Sequence, residues 1–140
     1  MLNLPQLVRR TDSLRKKRAK FVKILYTKKG YNTLGQGFIA TSSYSTHLID
    51  PDGRVYKNEE PNRYVTVVTF LDNKLNVKVS CSCDDFKYRE EWALWNRKAA
   101  DIEYSNGDFP DMTNPQYRPY VCKHILALWE KRLAGKIKGL

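Results

Sequence analysis

Three cysteines and one histidine fall into two short pairs, and this pattern limits the possible folds more than any other feature of the chain. One residue separates Cys81 from Cys83, one residue separates Cys122 from His124, and 38 residues lie between the pairs. A disulfide framework needs an even number of cysteines, and a bond within Cys-x-Cys fits the preferred disulfide geometry badly. Buried structural cysteines are common, but unrelated ones are not expected to form such pairs. The pattern therefore favours a metal site.

The spacing suits zinc, which takes four tetrahedral ligands at about 2.3 Å from sulfur and about 2.0 Å from nitrogen. Cys81 and Cys83 follow a strand-like segment, and residues two apart on a strand share a face. Cys122 and His124 precede a helical segment, where a bend can turn them toward the first pair. Three thiolates and one imidazole leave no position for water, so we expect one structural Zn²⁺. We expect His47 at the surface, not as a fifth ligand.

The segment before the first pair predicts a β-hairpin. RYVTVVTFL, residues 63–71, is β-branched and aromatic. A turn at Asp72 and Asn73 leads into KLNVKVS, which places Leu75, Val77 and Val79 on one face. Upstream, THLIDPDGRVYK predicts a smaller hairpin around DPDG, and a short strand is expected near residues 38–41.

Two helices are predicted after the hairpin. DDFKYREEWALWNRKAADI predicts a helix with a core-facing stripe at Tyr88, Trp92, Trp95 and Ala99. SNGDFPDMTNPQYRP indicates a loop, and CKHILALWEKRLAGKIK predicts a helix that buries Ile125, Leu128, Trp129 and Leu133.

Positive charge is concentrated at the two ends of the chain. The formal net charge is +10, and residues 1–29 hold ten Lys or Arg against Asp12 alone. We predict a basic helical arm over 1–29, with Leu4, Leu7, Val8 and Leu14 as its apolar members, beside a single domain over 30–140. This basic run could be a solvated helix face, a contact for nucleic-acid phosphates or a docking surface for acidic protein. Its candidate binding residues are Arg9, Arg10, Arg15, Lys16, Lys17, Arg18 and Lys20.

Several other functions are disfavoured by the sequence. No apolar run is long enough to span a membrane, and the N-terminus lacks the pattern of a secretory signal, which indicates a cytoplasmic protein with reduced thiols. There is no glycine-rich phosphate loop, HExxH or Ser-His-Asp order. The acidic pairs at 59–60, 84–85 and 90–91 are expected to be cap and surface groups. We therefore expect no enzyme activity and no small-molecule substrate.

The order of hairpin, Cys-x-Cys, insertion, Cys-x-His and helix resembles the SWIM-type zinc finger over about residues 63–133. The resemblance implies that Cys81, Cys83, Cys122 and His124 are the zinc ligands. The insertion is long for this motif and contains a predicted helix. The stretches SCSCDDFKYREEWAL, IEYSNG and TNPQYRPYVCKH also resemble small SWIM-containing proteins of tailed bacteriophages, which implies a location in the host cytoplasm or the virion.

Together these observations predict an α+β fold: a small antiparallel sheet packed with C-terminal helices, forming a ββα zinc finger with a helical insertion. The function expected from them is a non-enzymatic structural or adaptor module that docks onto protein subunits of a larger assembly. SWIM domains are associated with both DNA binding and protein contacts, so binding of DNA or RNA is the alternative.

Overall fold

The computed structural model describes residues 2–101, 103, 114 and 118–133, and these form a mixed α+β structure as predicted. Four strands make an antiparallel sheet in the order β1-β2-β5-β6, and β3 pairs with β4 in a separate hairpin. The elements in chain order are α1 (Leu4–Arg10), α2 (Ser13–Ala19), β1 (Val22–Tyr31), β2 (Gly37–Ser45), β3 (His47–Ile49), β4 (Val55–Lys57), β5 (Tyr64–Phe70), β6 (Val77–Cys81), a π-helical turn (Phe86–Glu90), α3 (Glu91–Trp95), α4 (Lys123–Leu128) and a second π-helical turn (Trp129–Leu133).

The core lies between one face of the sheet and the helices. Inward residues of the sheet such as Ile39, Val68 and Val79 pack in one cluster with Ile125 and Leu128 of α4. This burial confirms the inward positions expected for Ile125, Leu128 and Leu133, while Trp129 packs half-buried against the same core. The predicted last helix continues past residue 133, and that part lies outside the described residues.

The N-terminal segment forms two short helices where one was expected. The Asn3 side chain accepts a hydrogen bond from Gln6 N at the start of α1, and the Asp12 carboxylate accepts one from Arg15 N at the start of α2. The predicted helical arm includes residues 21–25, FVKIL. Helix was wrong for this part, because Val22–Tyr31 form strand β1, which pairs with β2. A pairing partner that lies elsewhere in the chain outweighs local helix propensity here.

The apolar residues of this segment do not stand apart from the sheet. Leu4, Leu7, Ala19 and Val22 are buried in the same core cluster as the sheet and α4. Residues 1–29 therefore contribute to the packing of the domain. The boundary between residues 29 and 30 stays a prediction.

The two hairpins form as predicted, with one residue misplaced. The small hairpin turns at Gly53, whose φ of 92° suits glycine. In β6 Val77, Val79 and Cys81 are buried in alternation, as expected. Leu75 does not belong to this strand, because it adopts a φ of 64° in the preceding turn.

The inserted helix buries a different face from the one predicted. Tyr88 and Trp95 are 54% and 46% exposed and Trp92 is half-buried, whereas the buried positions are Phe86, Glu90, Glu91, Ala93 and Leu94. The π-helical first turn causes the shift, because it spaces residues more widely than the 3.6-residue repeat on which the prediction relied. Ala99 is buried as expected, whereas the expectation that Glu90 and Glu91 are surface groups was wrong, since both are fully buried.

The predicted loop from residue 105 onward falls almost entirely outside the described residues, of which only Asn114, Arg118 and Pro119 belong to it. Within the described part of the chain, no helix is both long and apolar enough to cross a membrane.

Candidate metal centre

The fold brings together the four residues that the sequence predicts as ligands. Cys81 ends β6 and Cys83 precedes the first π-helical turn, while Cys122 caps α4 and His124 lies in the first turn of that helix. Their ligand atoms all lie within 4.8 Å of one another. Each residue is at most 4% exposed, and Cys83 and His124 also line an open surface pocket.

The distances suit a tetrahedral metal. His124 Nδ1 lies 3.7 Å from Cys81 Sγ, close to the roughly 3.8 Å that separates two ligands around zinc. All three cysteines are free thiols, which agrees with a metal and not with a disulfide. The short distance to Cys81 Sγ identifies Nδ1 as the histidine atom that faces the thiols. The centre of the Tyr64 ring lies 4.9 Å from the centre of the imidazole ring. His124 Nε2 is buried without a hydrogen-bond partner among the described residues.

The pKa values of the three buried thiols indicate that the cluster needs a cation to hold all three as thiolates. Burial raises the pKa of the Cys81 thiol and of the Cys122 thiol, because a thiolate is poorly solvated there. Hydrogen bonds from Cys122 and Cys81 lower the pKa of Cys83, so the first charge is expected on that sulfur. Three thiolates can coexist in so small a volume only around a positive ion. Zn²⁺ bound there would supply that charge and a fixed tetrahedral geometry.

Neighbouring donors orient two of the sulfurs. Thr66 Oγ1 donates to Cys81 Sγ, and Phe86 N donates to Cys83 Sγ, both at 3.5 Å. Thr66 lies opposite Cys81 in the β5–β6 ladder, so the hairpin register places this donor. Such outer contacts hold the ligands in position and stabilise the thiolate form.

An ion pair that the sequence did not reveal joins α2 to both ligand segments. The Arg15 guanidinium binds both oxygens of Asp85, at 2.7 and 2.6 Å, and also contacts the Tyr120 hydroxyl at 3.0 Å. Asp85 is two residues from Cys83, and Tyr120 is two residues from Cys122. Arg15 therefore ties the N-terminal helix to the chain beside both halves of the cluster.

The candidate basic residues divide into two groups. Arg15 is engaged by Asp85, and Arg18 donates two hydrogen bonds to the Ile49 carbonyl, at 2.9 and 2.6 Å. Lys16 is half-buried. The residues that remain exposed are Arg9, Arg10, Lys17 and Lys20. His47, expected at the surface, is half-buried beside the Phe21 ring and away from the cluster.

A buried carboxyl group lies next to the Arg15 contact. Glu90 accepts hydrogen bonds from Tyr120 N at 2.7 Å and from the Asn114 side chain at 3.0 Å. Burial raises the pKa of Glu90 from 4.5 to about 10, against the lowering effect of these hydrogen bonds. The sequence pattern suggested a surface role for Glu90 because two adjacent acids are usually solvated.

The raised pKa of Glu90 predicts a pH dependence of stability. Between about pH 4.5 and pH 10 the folded state holds a proton that the unfolded state has lost. The stabilising effect of this group is therefore complete below its unfolded pKa and is lost as pH rises toward its folded pKa. In Glu90→Gln we expect the slope of the unfolding free energy against pH to become less negative, by at most about 1.4 kcal/mol per pH unit. Denaturant unfolding of zinc-loaded protein between about pH 6 and pH 9 measures the slope.

Glu59→Gln, at an exposed loop position, serves as the control. The substitution at Glu90 also places an amide against the Asn114 amide, but that loss is independent of pH, so the slope is the informative quantity. Equal slopes in the wild type and in Glu90→Gln would contradict the buried, protonated carboxyl.

Comparison with protein families identifies the type of site. The SWIM zinc finger model matches residues 67–92 and 116–132, which include the second half of β5, all of β6, both ligand pairs and α4. The gap in the match falls within the long insertion. Comparison with curated proteins found no match, and comparison with solved structures found none either.

The buried Cys₃His cluster and its flanking elements define a zinc-binding module. More particularly, the chain matches the SWIM zinc finger over these two segments, and Cys81, Cys83, Cys122 and His124 all lie within them.

Proposed function

We propose that the protein is a non-enzymatic module in which one structural zinc ion holds the fold together and a basic surface docks onto a larger assembly. The observation that supports a structural metal is the closure of the site. All four ligands come from the protein and are almost fully buried, so they can fill a tetrahedral coordination shell and leave no position on the metal for a substrate. The metal would join the end of β6, the inserted helical segment and α4.

The docking surface is formed by the exposed sides of α1 and α2. We call Arg9, Arg10, Lys17 and Lys20 the helical basic surface; all four are exposed. Leu4, Leu7 and Ala19 are buried beneath these helices, so the cations are held on a fixed surface. The acidic residue of this segment, Asp12, is already paired with Arg15. Among the described residues no ion pair engages these four cations, so the surface presents positive charge to a partner.

The partner proposed first is an acidic surface on protein subunits of a larger assembly. The resemblance to small phage proteins supports a virion component, assembled in the host cytoplasm. Nucleic acid is the second candidate, and the observation that favours it is the same fixed set of cations, since phosphate contacts need only charge and reach.

Removing the four charges tests the docking proposal without disturbing the core. We expect the variant Arg9→Gln, Arg10→Gln, Lys17→Gln and Lys20→Gln to lose binding to polyanions and to keep its zinc and its thermal stability. Deleting residues 1–20 would be uninformative, because it also removes Leu4 and Leu7 from the core. Binding to poly-L-glutamate, duplex DNA and duplex RNA is measured by fluorescence anisotropy across a salt series.

The matched control replaces three exposed cations on other elements, Arg54, Lys57 and Lys74, with glutamine. Loss of binding in the first variant only, with a smaller salt slope, supports the helical basic surface. Preference for poly-L-glutamate supports the protein partner, and preference for nucleic acid supports the second candidate. If the two variants bind alike, the helical basic surface is wrong.

A further inference from the structure

The four-stranded sheet has a second face that none of the described helices covers. Inward residues of β2, such as Ile39, Thr41 and Ser43, are buried, and the residues between them point the other way. Residues paired across neighbouring strands lie on the same face, so the register shows which residues of β1 and β5 belong to it. Lys23 pairs with Tyr44 and Tyr26 pairs with Ser42, while Ala40 pairs with both Lys28 and Val67. We call this the outer face. None of its side chains belongs to the buried core.

Aromatic and apolar groups are exposed on the outer face. Tyr26 is 64% exposed, and Val65 is 48% exposed. The Phe38 ring lies across the neighbouring strand, because a Cβ atom at Gly30 would come within 3.0 Å of its Cζ atom. Glycine at this position therefore lets a ring lie against the backbone of β1. Exposed apolar patches of this kind commonly mark interaction sites.

Positive charge is interleaved with these rings on one half of the face. Lys23 and Lys28 stand on β1 beside Tyr26, and neither β1 nor β2 contains an acidic residue. Acidic groups lie at the opposite edge, where Asp101 pairs with Lys78 at 3.0 Å and Glu103 accepts from Ser80 at 3.3 Å. An anionic ligand is therefore directed to the half formed by β1 and β2.

We propose that this half of the outer face binds single-stranded nucleic acid, with bases stacked on Tyr26, Phe38 and Tyr44 and phosphates beside Lys23 and Lys28. The proposal rests on the second candidate function, nucleic-acid binding, and assigns it a surface separate from the helical basic surface. Stacking needs unpaired bases, which favours a single strand over a duplex. Exposed aromatic rings occur at protein interfaces as well, so the occupant is argued from the lysines beside the rings, because lysine is depleted at the core of protein–protein interfaces and suits phosphate.

Replacing the most exposed ring tests the proposal. Anisotropy titrations with labelled oligo(dT) and oligo(U) of about 10 nucleotides are expected to show binding by the wild type. Tyr26→Ala is expected to weaken that binding about tenfold, and Tyr26→Phe, which keeps the ring, to stay within about twofold. Tyr31→Ala is the matched control, because Tyr31 is an exposed tyrosine on the same strand whose position in the register places it on the other face.

Ultraviolet crosslinking of the wild type to oligo(U), followed by peptide mass spectrometry, gives a readout that does not depend on the folding of a variant. A crosslink within β1 or β2 is expected. Crosslinks confined to α1 and α2, or equal affinities for Tyr26→Ala and Tyr31→Ala, would overturn the outer-face site while leaving nucleic-acid binding by the helical basic surface intact.

Two further results would also overturn the proposal. Absence of any single-strand binding would remove the outer-face site, and binding of duplex DNA, measured separately, would then decide whether the second candidate function stands. Binding of poly-L-glutamate that is as tight as oligo(U) binding, and equally sensitive to Tyr26→Ala, would assign the outer face to an acidic protein instead.

Discussion

Cys83→Ser is expected to abolish zinc binding and to unfold the region around the metal centre. Structural zinc sites of this type contribute about 10 kcal/mol or more to folding, which exceeds the total stability of many domains of this size. Cys83 also fixes the start of the π-helical turn, because its Sγ accepts from Phe86 N and its carbonyl accepts from Lys87 N. Loss of this ligand should therefore release the inserted segment and α4 together.

The measurements for this variant are metal content and near-ultraviolet circular dichroism. Trp92 and Trp129 are half-buried on the two segments that the metal joins, so their aromatic signal should weaken. Asp84→Asn is the control, since Asp84 is the exposed neighbour of Cys83. Full zinc content with an unchanged aromatic signal in Cys83→Ser would contradict the proposed ligand set.

Arg15→Met is expected to destabilise the zinc-loaded protein by about 2–4 kcal/mol, because it leaves the Asp85 carboxylate without its bidentate partner. This range is below the full cost of breaking a buried pair, since the Arg15 and Asp85 side chains are 18% and 26% exposed and Arg89 remains 3.1 Å from Asp85. The guanidinium also stacks on Tyr120, with its carbon 4.2 Å from the ring centre. Methionine keeps the aliphatic packing and removes the charge.

Denaturant unfolding measures this effect, with Lys17→Met as the control at an exposed position of the same helix. Polyanion binding by Arg15→Met should stay near that of the wild type under conditions where the variant is folded. A variant that keeps its stability and loses polyanion binding would assign Arg15 to ligand contact and contradict its structural role.

The zinc ligands could be predicted from sequence because cysteine and histidine are the residue types that bind zinc, and because they occur in the short pairs Cys-x-Cys and Cys-x-His. Cys81 ends a strand whose alternation is plain in the sequence and Cys83 follows it by two residues, so the hairpin and the first ligand pair were predictable together. The second ligand pair was predictable because the apolar run after Cys122 and His124 indicates a helix. A bend before that helix can turn both side chains toward the first pair.

Contacts between distant segments were not predictable in the same way. Arg15 and Asp85 are 70 residues apart, and nothing local separates Arg15 from its basic neighbours. The local sequence of β1 predicts that the preceding helix continues. These residues form a strand instead because they pair with β2. The π-helical turn changed which face of the inserted segment is buried, so Glu90 replaced the expected aromatic stripe in the interior.

Zinc K-edge X-ray absorption of the purified protein tests the closed metal site most directly. The structure predicts bound zinc with three sulfur ligands at about 2.3 Å and one nitrogen ligand at about 2.0 Å, and no oxygen ligand from water. Absence of zinc, or a coordination shell with fewer sulfurs and an added oxygen, would contradict a closed Cys₃His centre.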